Sequence, residues 1–190
     1  MIIKRRGGKY GVRKILQSGG VIPPPVVEGF EEPPTYDELL MRQVFKESSF
    51  NPEAVSSAGA RGLAQITEIT EQELKDKELI PQDFDPFNPS QALQAQRVYM
   101  DSLMDRPWNQ EGSEEVRMAK ALSGYNFGPT ATVRTLNEAK EKGYDIYNSL
   151  DWIEMLPEET RDYISKILLE SNEDFESQYS KAREGFELPE

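Results

Sequence analysis

Residues 47–65 read ESSFNPEAVSSAGARGLAQ, and this stretch joins an amphipathic helical segment to a loop of small residues. Glu47 lies three residues after Val44 and seven after Leu40, so it falls at the edge of the apolar stripe of that helix. A carboxyl group at such an edge is partly desolvated, which raises its pKa toward the range that a general acid needs near neutral pH. Taken by its position alone, the residue also fits an ordinary surface glutamate.

The segments around this stretch predict helices and no strands. Asn51-Pro52 ends the first helix, and the small residues at 56–62 suit close approach of the backbone. Apolar residues at helical spacing then predict a second helix from Leu63 to Leu74. Four more helical segments follow, and they begin near Ser90, Glu114, Thr132 and Pro157. Because no stretch shows β-alternation and no internal repeat is present, we predict an all-α fold.

The residue composition limits the chemistry that this chain can perform. Its 190 residues include no cysteine and no histidine, which excludes disulfides, thiolate or histidine zinc sites and the catalytic triads built on histidine. Acid–base chemistry must therefore fall to Asp, Glu, Lys or Tyr, and the 34 acidic residues outnumber the 22 basic ones. The sequence predicts no metal site and no cofactor.

Composition also divides the chain into four parts. Residues 1–20 hold six basic residues and no acidic one, which predicts a basic flexible tail. Residues 21–35 contain two proline runs, which are typical of a stiff, extended linker. Residues 36–170 hold the predicted helices and form the main domain. Residues 171–190 are acidic and predict a C-terminal tail, with one more loosely held helix as an open alternative.

The distribution of charge bears on partners and location. The whole chain has a net charge of −12 although its first 20 residues are basic, so the rest of the chain is strongly acidic and the main domain is a poor binder of nucleic acid and anionic membranes. The tail suits either of these, or an acidic protein surface, although a solvated tail is the commoner case. Charged residues follow Ile2-Ile3 at once, so no signal peptide is visible, and no apolar run reaches the roughly 18 residues of a transmembrane helix. For a target outside the cytoplasm we therefore expect delivery by other machinery.

Four short motifs follow one another along the predicted main domain. They are ESSFNP at 47–52, AVSSAGARGLAQ at 54–65, GYNFGP at 124–129 and ETRDYI at 159–164. In this order and on an all-α pattern, they resemble the soluble lytic transglycosylase family, a branch of the lysozyme-like superfamily. The resemblance covers roughly residues 36–170. It implies a goose-type, lysozyme-like catalytic domain behind an extended N-terminal tail.

This resemblance implies that Glu47 is the catalytic acid/base of a peptidoglycan lytic transglycosylase. It would protonate the β-1,4 glycosidic oxygen between N-acetylmuramic acid and N-acetylglucosamine, then accept the proton of the muramoyl 6-hydroxyl as a 1,6-anhydro ring closes. Enzymes of this type need no second catalytic carboxylate, unlike two-carboxylate glycosidases. The residues implied to line the substrate cleft are Ser56, Gln65, Tyr125, Asn126 and Glu159, with the Tyr125 hydroxyl facing the acid. Each also suits a structural role as a turn, cap or core residue.

The chain departs from the family pattern at several positions. Ala64 stands where the family usually has methionine, Glu68 where it has proline, and Phe127 where it has a small residue. The helix after Asn88-Pro89 normally carries N-I-x-x-G-x-x-Y-L, and Gln96 stands in the place of its glycine. None of these changes removes the acid. Ala64 and Phe127 are expected to reshape the sugar groove.

Three functions fit the resemblance. The first is a transglycosylase that acts on peptidoglycan strands in the bacterial cell wall or periplasm, delivered by a phage particle or a secretion apparatus that the basic tail contacts. The second is a lysozyme-type hydrolase on the same fold, with water as the attacking group. The third is a non-catalytic structural or wall-docking module, since a fold does not dictate its function.

Overall fold

The computed structural model describes residues 34–169 and 173–185, and within these ranges the chain is helical. The α-helices are α1 (Tyr36–Ser48), α2 (Glu68–Asp76), α3 (Pro89–Met104), α4 (Glu114–Asn126), α5 (Pro129–Glu141), α6 (Glu158–Leu168) and α7 (Glu173–Gly185). Two short 3-10 helices lie at Pro107–Asn109 and Asp151–Met155. The only β-pairing in the described residues is two isolated bridges in the loop after α1. The predicted all-α fold is therefore confirmed.

Local capping chemistry determines where the helices begin. The Thr35 side chain accepts the amide proton of Glu38 at 3.2 Å and starts α1. At α3 the cap is Asn88, with Pro89 in the first turn, so this helix begins slightly before Ser90. Pro129 likewise starts α5 before the predicted Thr132.

The prediction of a helix from Leu63 to Leu74 is wrong in its first turn. Arg61 and Ile66 instead exchange two backbone hydrogen bonds of 3.1 Å each, which closes a tight turn. Gln65 within that turn has a φ of 47°, outside the helical region. The helix α2 begins only where the Thr67 side chain caps it by accepting from the amide of Thr70.

The helix α4 lies at the centre of the domain and packs against α3, α5 and α6. Most of its residues from Val116 to Gly124 are buried, with Met118, Ala119, Ala121 and Leu122 in the apolar core. Small residues let its neighbours approach closely. A Cβ added at Gly124 would lie 3.1 Å from a methyl of Leu103 on α3. The first helix, α1, packs on α6 and α7, and this packing brings Glu47 in the last turn of α1 to Tyr163 in the middle of α6.

The helix α7 lies within the acidic tail predicted at 171–190, and it packs against α1. Phe175 and Tyr179 of α7 stack on each other and meet Phe45 and Phe50, with ring centroids 5.3–6.3 Å apart. We call these four rings the aromatic cluster. Because Phe175 is buried, the packed structure continues as far as this helix rather than ending at α6.

The compact unit that contains these helices begins at Pro34. The predicted basic tail at 1–20, and residues 21–33 of the predicted linker, lie outside the described residues. None of the helices in the described ranges combines the length and the apolarity that crossing a bilayer requires.

Candidate active site

Glu47 occupies the last turn of α1 and is half-buried. Directly after this helix the backbone turns sharply, with φ of 51° at Ser49 and 60° at Phe50. Two consecutive left-handed residues are unfavourable by about 1–2 kcal/mol each. Burial of the Phe50 ring in the aromatic cluster offsets that cost and holds the turn. The acid is thus carried on a helix end whose exit is locked by packing.

Burial raises the pKa of the Glu47 carboxyl from its ordinary value of 4.5 to about 7. A hydrogen bond from Tyr163 and the positive charge of Lys46 act in the opposite direction, while the negative charge of Glu159 adds to the rise. Desolvation is the largest of these effects. A substantial fraction of Glu47 therefore carries a proton at neutral pH, as a general acid must.

Tyr163 on α6 is the direct partner of this acid, and sequence reasoning did not identify it as a site residue. Its hydroxyl donates to Oε1 of Glu47 at 2.5 Å. The side chain is buried, and that burial, with the nearby charge of Glu47, raises the pKa of Tyr163 well above its ordinary value. The signal that could have found it is its place in the ETRDYI motif, four residues after Glu159.

Tyr125 on α4 lies near the acid, but its hydroxyl points elsewhere. It donates to the backbone carbonyl of Ala64 at 2.7 Å, while the resemblance implied a hydroxyl facing Glu47. Tyr125 is nevertheless close enough to Glu47 for the two to interact electrostatically. Burial is the largest cause that raises the pKa of Tyr125, and the charge of Glu47 is the second. Its hydroxyl thus ties the loop after α1 to the central helix.

Ser56 and Gln65 lie in that loop, residues 51–67, and both bond within it. The Ser56 hydroxyl accepts the amide proton of Ala60 at 3.0 Å. The Gln65 side-chain amide donates to the carbonyls of Gly62 at 2.9 Å and Ala54 at 3.2 Å. These contacts shape the 51–67 loop, and the substrate-binding role of both residues stays a prediction.

Asn126 and Glu159 lie where α4 ends and α6 begins. The Asn126 side chain accepts from the Thr160 hydroxyl at 2.8 Å, which joins the two helices. Glu159 is exposed in the first turn of α6, close enough for its charge to act on Glu47. The structure therefore gathers Glu47, Tyr125 and Glu159 at one place, while their contacts with substrate stay predictions.

The described residues contain no group of three acidic side chains placed to hold a metal ion. What the site does contain is one half-buried carboxyl group, supported from behind by a buried tyrosine. Such an arrangement can donate a proton to a leaving group and later accept one back.

Comparison with known proteins finds one family model and several relatives that match this chain. A family model described as the transglycosylase SLT domain matches residues 32–148. The chain is 33% identical over 128 residues to membrane-bound lytic murein transglycosylase F of Maricaulis maris, which covers 67% of this chain and 26% of that protein. It is 28% identical over 118 residues to membrane-bound lytic murein transglycosylase C of Yersinia pestis, which covers 60% of this chain and 33% of that protein.

The fold has a counterpart among solved structures. The 70 kDa soluble lytic transglycosylase of Escherichia coli matches with a TM-score of 0.57 and 22% sequence identity, over 78% of this chain and 22% of that one. This likeness shows the shared lysozyme-like fold that the motifs predicted. The chain spans about a quarter to a third of the length of the curated relatives it matches.

Proposed function

This chain belongs to the transglycosylase SLT domain family, and from that premise we propose that it is a peptidoglycan lytic transglycosylase. Its substrate is the glycan strand, cleaved at the β-1,4 bond between N-acetylmuramic acid and N-acetylglucosamine. The observation that supports this most directly is the half-buried Glu47, whose pKa of about 7 suits a general acid. The similarity to two proteins named as lytic murein transglycosylases points the same way.

In the first step protonated Glu47 gives its proton to the glycosidic oxygen, and the bond from that oxygen to C1 of the muramoyl residue breaks. The 6-hydroxyl of the same muramoyl residue then attacks C1 and closes the 1,6-anhydro ring. Its proton passes to the Glu47 carboxylate, which restores the acid. No water is consumed and no redox change occurs, so one carboxyl group serves both steps.

Among the described residues, the carboxyl of Glu47 takes its hydrogen bond from Tyr163 and not from a second acid. The two-carboxylate hydrolases use a second acid, about 5–9.5 Å from the first, to activate water or to attack the sugar itself, so the reaction products decide between the two chemistries. Mass spectrometry of muropeptides released from purified peptidoglycan tests the choice. Anhydro ends support the transglycosylase, reducing ends indicate the hydrolase, and no release at all indicates a non-catalytic wall-docking module.

The pH dependence of cleavage is a direct prediction from this site. Glu47 acts as an acid only when protonated, so kcat/KM is expected to be highest below pH 7 and to fall about tenfold per pH unit above it. Release of soluble glycan fragments between pH 5 and 9 measures this. A profile that stays flat to pH 9 would contradict the assignment of Glu47 as the acid.

Delivery by a phage particle or a secretion apparatus is a further part of this proposal, with action in the cell wall or periplasm. Its support is compositional, since the basic residues 1–20 precede a strongly acidic main domain and suit contact with an acidic protein surface. Immunodetection of the chain in purified particles, with and without residues 1–20, tests it. Absence of the intact chain from such particles would count against it.

A further inference from the structure

A chain of hydrogen bonds runs behind the acid through three buried side chains. Tyr163 donates to Glu47, and its own oxygen accepts from Nε2 of Gln43 at 3.0 Å. Oε1 of Gln43 accepts from Nε2 of Gln96 at 2.9 Å. Both glutamines are completely buried, Gln43 on α1 one turn before the acid and Gln96 on α3. We call Gln96, Gln43 and Tyr163 the relay.

The backbone carbonyl at one end of the relay determines which group donates and which accepts in each of its hydrogen bonds. The backbone carbonyl of Leu40 can only accept, and Nε2 of Gln96 lies 2.8 Å from it. The second proton of that nitrogen goes to Oε1 of Gln43, so the Gln43 amide nitrogen must face the other way. Its two protons go to the Tyr163 oxygen and, at 3.7 Å, to the sulfur of Met100.

Tyr163 has a single hydroxyl proton, and the neighbour on its protein side is a donor. That proton therefore goes to Oε1 of Glu47, 2.5 Å away. If Oε1 of Glu47 carried the acid's proton instead, two donors would face the tyrosine oxygen and the tyrosine's own proton would be left buried without an acceptor. An unsatisfied buried donor is strongly disfavoured, so Oε1 stays an acceptor in both protonation states of Glu47.

From this geometry we propose that Gln43 and Gln96 are positioning residues that hold Tyr163 as a donor and thereby confine the acidic proton of Glu47 to Oε2. This inference rests on the proposed function, in which Glu47 is the acid. Oε2 is then the oxygen that gives its proton to the glycosidic bond and later takes one back. A proton on Oε1 would be turned toward the protein and lost to catalysis.

The two amides of the relay do not titrate, because they are neutral at every pH. The charges that act on the pKa of Glu47 are those of Lys46 on its own helix and Glu159 on α6, and Tyr163 acts on it through its hydrogen bond. Tyr125 on α4 lies within range of the same carboxyl, whose charge raises the pKa of that tyrosine. The buried tyrosines have pKa values raised well above 10, so they keep their protons through the working range. The orientation of the proton on Glu47 is thus independent of pH.

The relay is also a property of this chain's own sequence. The resemblance given by the sequence motifs implies glycine at the position of Gln96, and glycine has no side chain to begin the relay. Oε1 of Gln96 is buried and has no hydrogen-bond partner among the described residues. An unpaired buried oxygen costs free energy. Gln96 keeps this orientation nevertheless, because in it both protons of the side-chain amide are donated to acceptors.

Gln43→Met tests the proposal, because methionine matches glutamine in length but replaces the donor by a thioether that accepts weakly. The Tyr163 proton can then turn to the sulfur, and the tyrosine oxygen can accept from Oε1 of protonated Glu47. We expect kcat to fall about 10-fold with KM within about twofold, as for misplacement of a reacting group. The pKa of Glu47 should rise, which moves the high-pH limb of the profile upward.

The control is the same substitution in a Tyr163→Phe background, where the relay has no hydroxyl to orient. There Gln43→Met should cause no further shift in the high-pH limb of the pH–rate profile. Asn109→Leu removes a buried amide outside the relay and should lower stability without moving the limb. An unchanged limb in Gln43→Met, or equal shifts with and without the Tyr163 hydroxyl, would overturn the proposal.

A titration of Glu47 by ¹³C NMR separates this inference from the proposed function. If the wild-type protein forms no anhydro product but Gln43→Met raises the Glu47 pKa, the relay stands and the function fails. If the wild-type protein forms that product and Gln43→Met changes neither the pKa nor kcat, the function stands and the relay fails. The resonance is assigned by its absence in Glu47→Gln.

Discussion

Replacing Glu47 by glutamine is expected to reduce the formation of anhydro-muropeptides by about 10³-fold or more, because the variant has no proton to give. The amide is nearly the same size, and its oxygen can still accept the bond from Tyr163. The fold should therefore be preserved while the chemistry is lost. Chromatography and mass spectrometry of digested peptidoglycan measure the loss, and undiminished cleavage would contradict the proposed role of Glu47.

The same variant is expected to be more stable than the wild-type protein at pH 8. Because the pKa of Glu47 is about 7 in the folded chain and near 4.5 when exposed, folding favours its protonated form. That contribution is fully present below pH 4.5 and is lost as the pH rises through 7. Glutamine has no such loss, so Glu47→Gln should gain up to about 3 kcal/mol at pH 8 and almost nothing at pH 4.

Urea denaturation of both proteins at the two pH values measures this difference. A gain that is equal at pH 4 and pH 8 would show that it does not come from the ionisation of Glu47. A variant that is both inactive and stabilised only at high pH would identify the site as one where function opposes stability.

The largest loss of stability is expected for Gly62→Ala, in the 51–67 loop. Gly62 has a φ of 71°, and an added Cβ would lie 1.8 Å from the carbonyl oxygen of Pro86. The Cβ is held rigidly by the Gly62 backbone and the oxygen belongs to the Pro86 backbone, so the collision can be relieved only by a shift of the main chain. We expect a loss of at least about 4 kcal/mol in the free energy of unfolding, from the collision together with the left-handed conformation.

Gly59→Ala is the matched control for this prediction. Gly59 lies in the same loop with a φ of 81°, but an added Cβ would meet no atom within 4 Å. Its loss should be about 1–2 kcal/mol, from backbone conformation alone. Equal losses at the two glycines would show that the close approach to Pro86 contributes nothing. Cleavage by Gly62→Ala should also fall, because this loop carries the Ala64 carbonyl that receives the Tyr125 hydroxyl.

The structural features that depend only on residues close together in the sequence were predictable. The cap at Thr35 and the edge position of Glu47 depend on residues three to seven positions away, and helical periodicity expresses these directly. The turn that replaces the predicted start of a helix at Leu63 was not predictable in the same way. Its residues have helical spacing, but the paired backbone bonds between Arg61 and Ile66 hold the first of them in a turn.

The partners of the acid depended on contacts between distant residues. Tyr163 is 116 positions from Glu47, and its hydroxyl, rather than that of Tyr125, reaches the acid because α6 packs on α1. Gln43 and Gln96 are 53 positions apart, and they meet only through the packing of α1 and α3 around buried Leu40 and Met100.

By itself, the sequence determined an all-α domain with one carboxyl group at the edge of an apolar stripe, and its motifs determined the family. Helical phase is a local property, set by bonds between residues three or four apart, so it can be read directly from the order of residues. Only the tertiary structure decided which hydroxyl orients that carboxyl group and which amides stand behind it. Those contacts depend on how whole helices cross, and helix crossing is settled by packing among residues far apart in the chain.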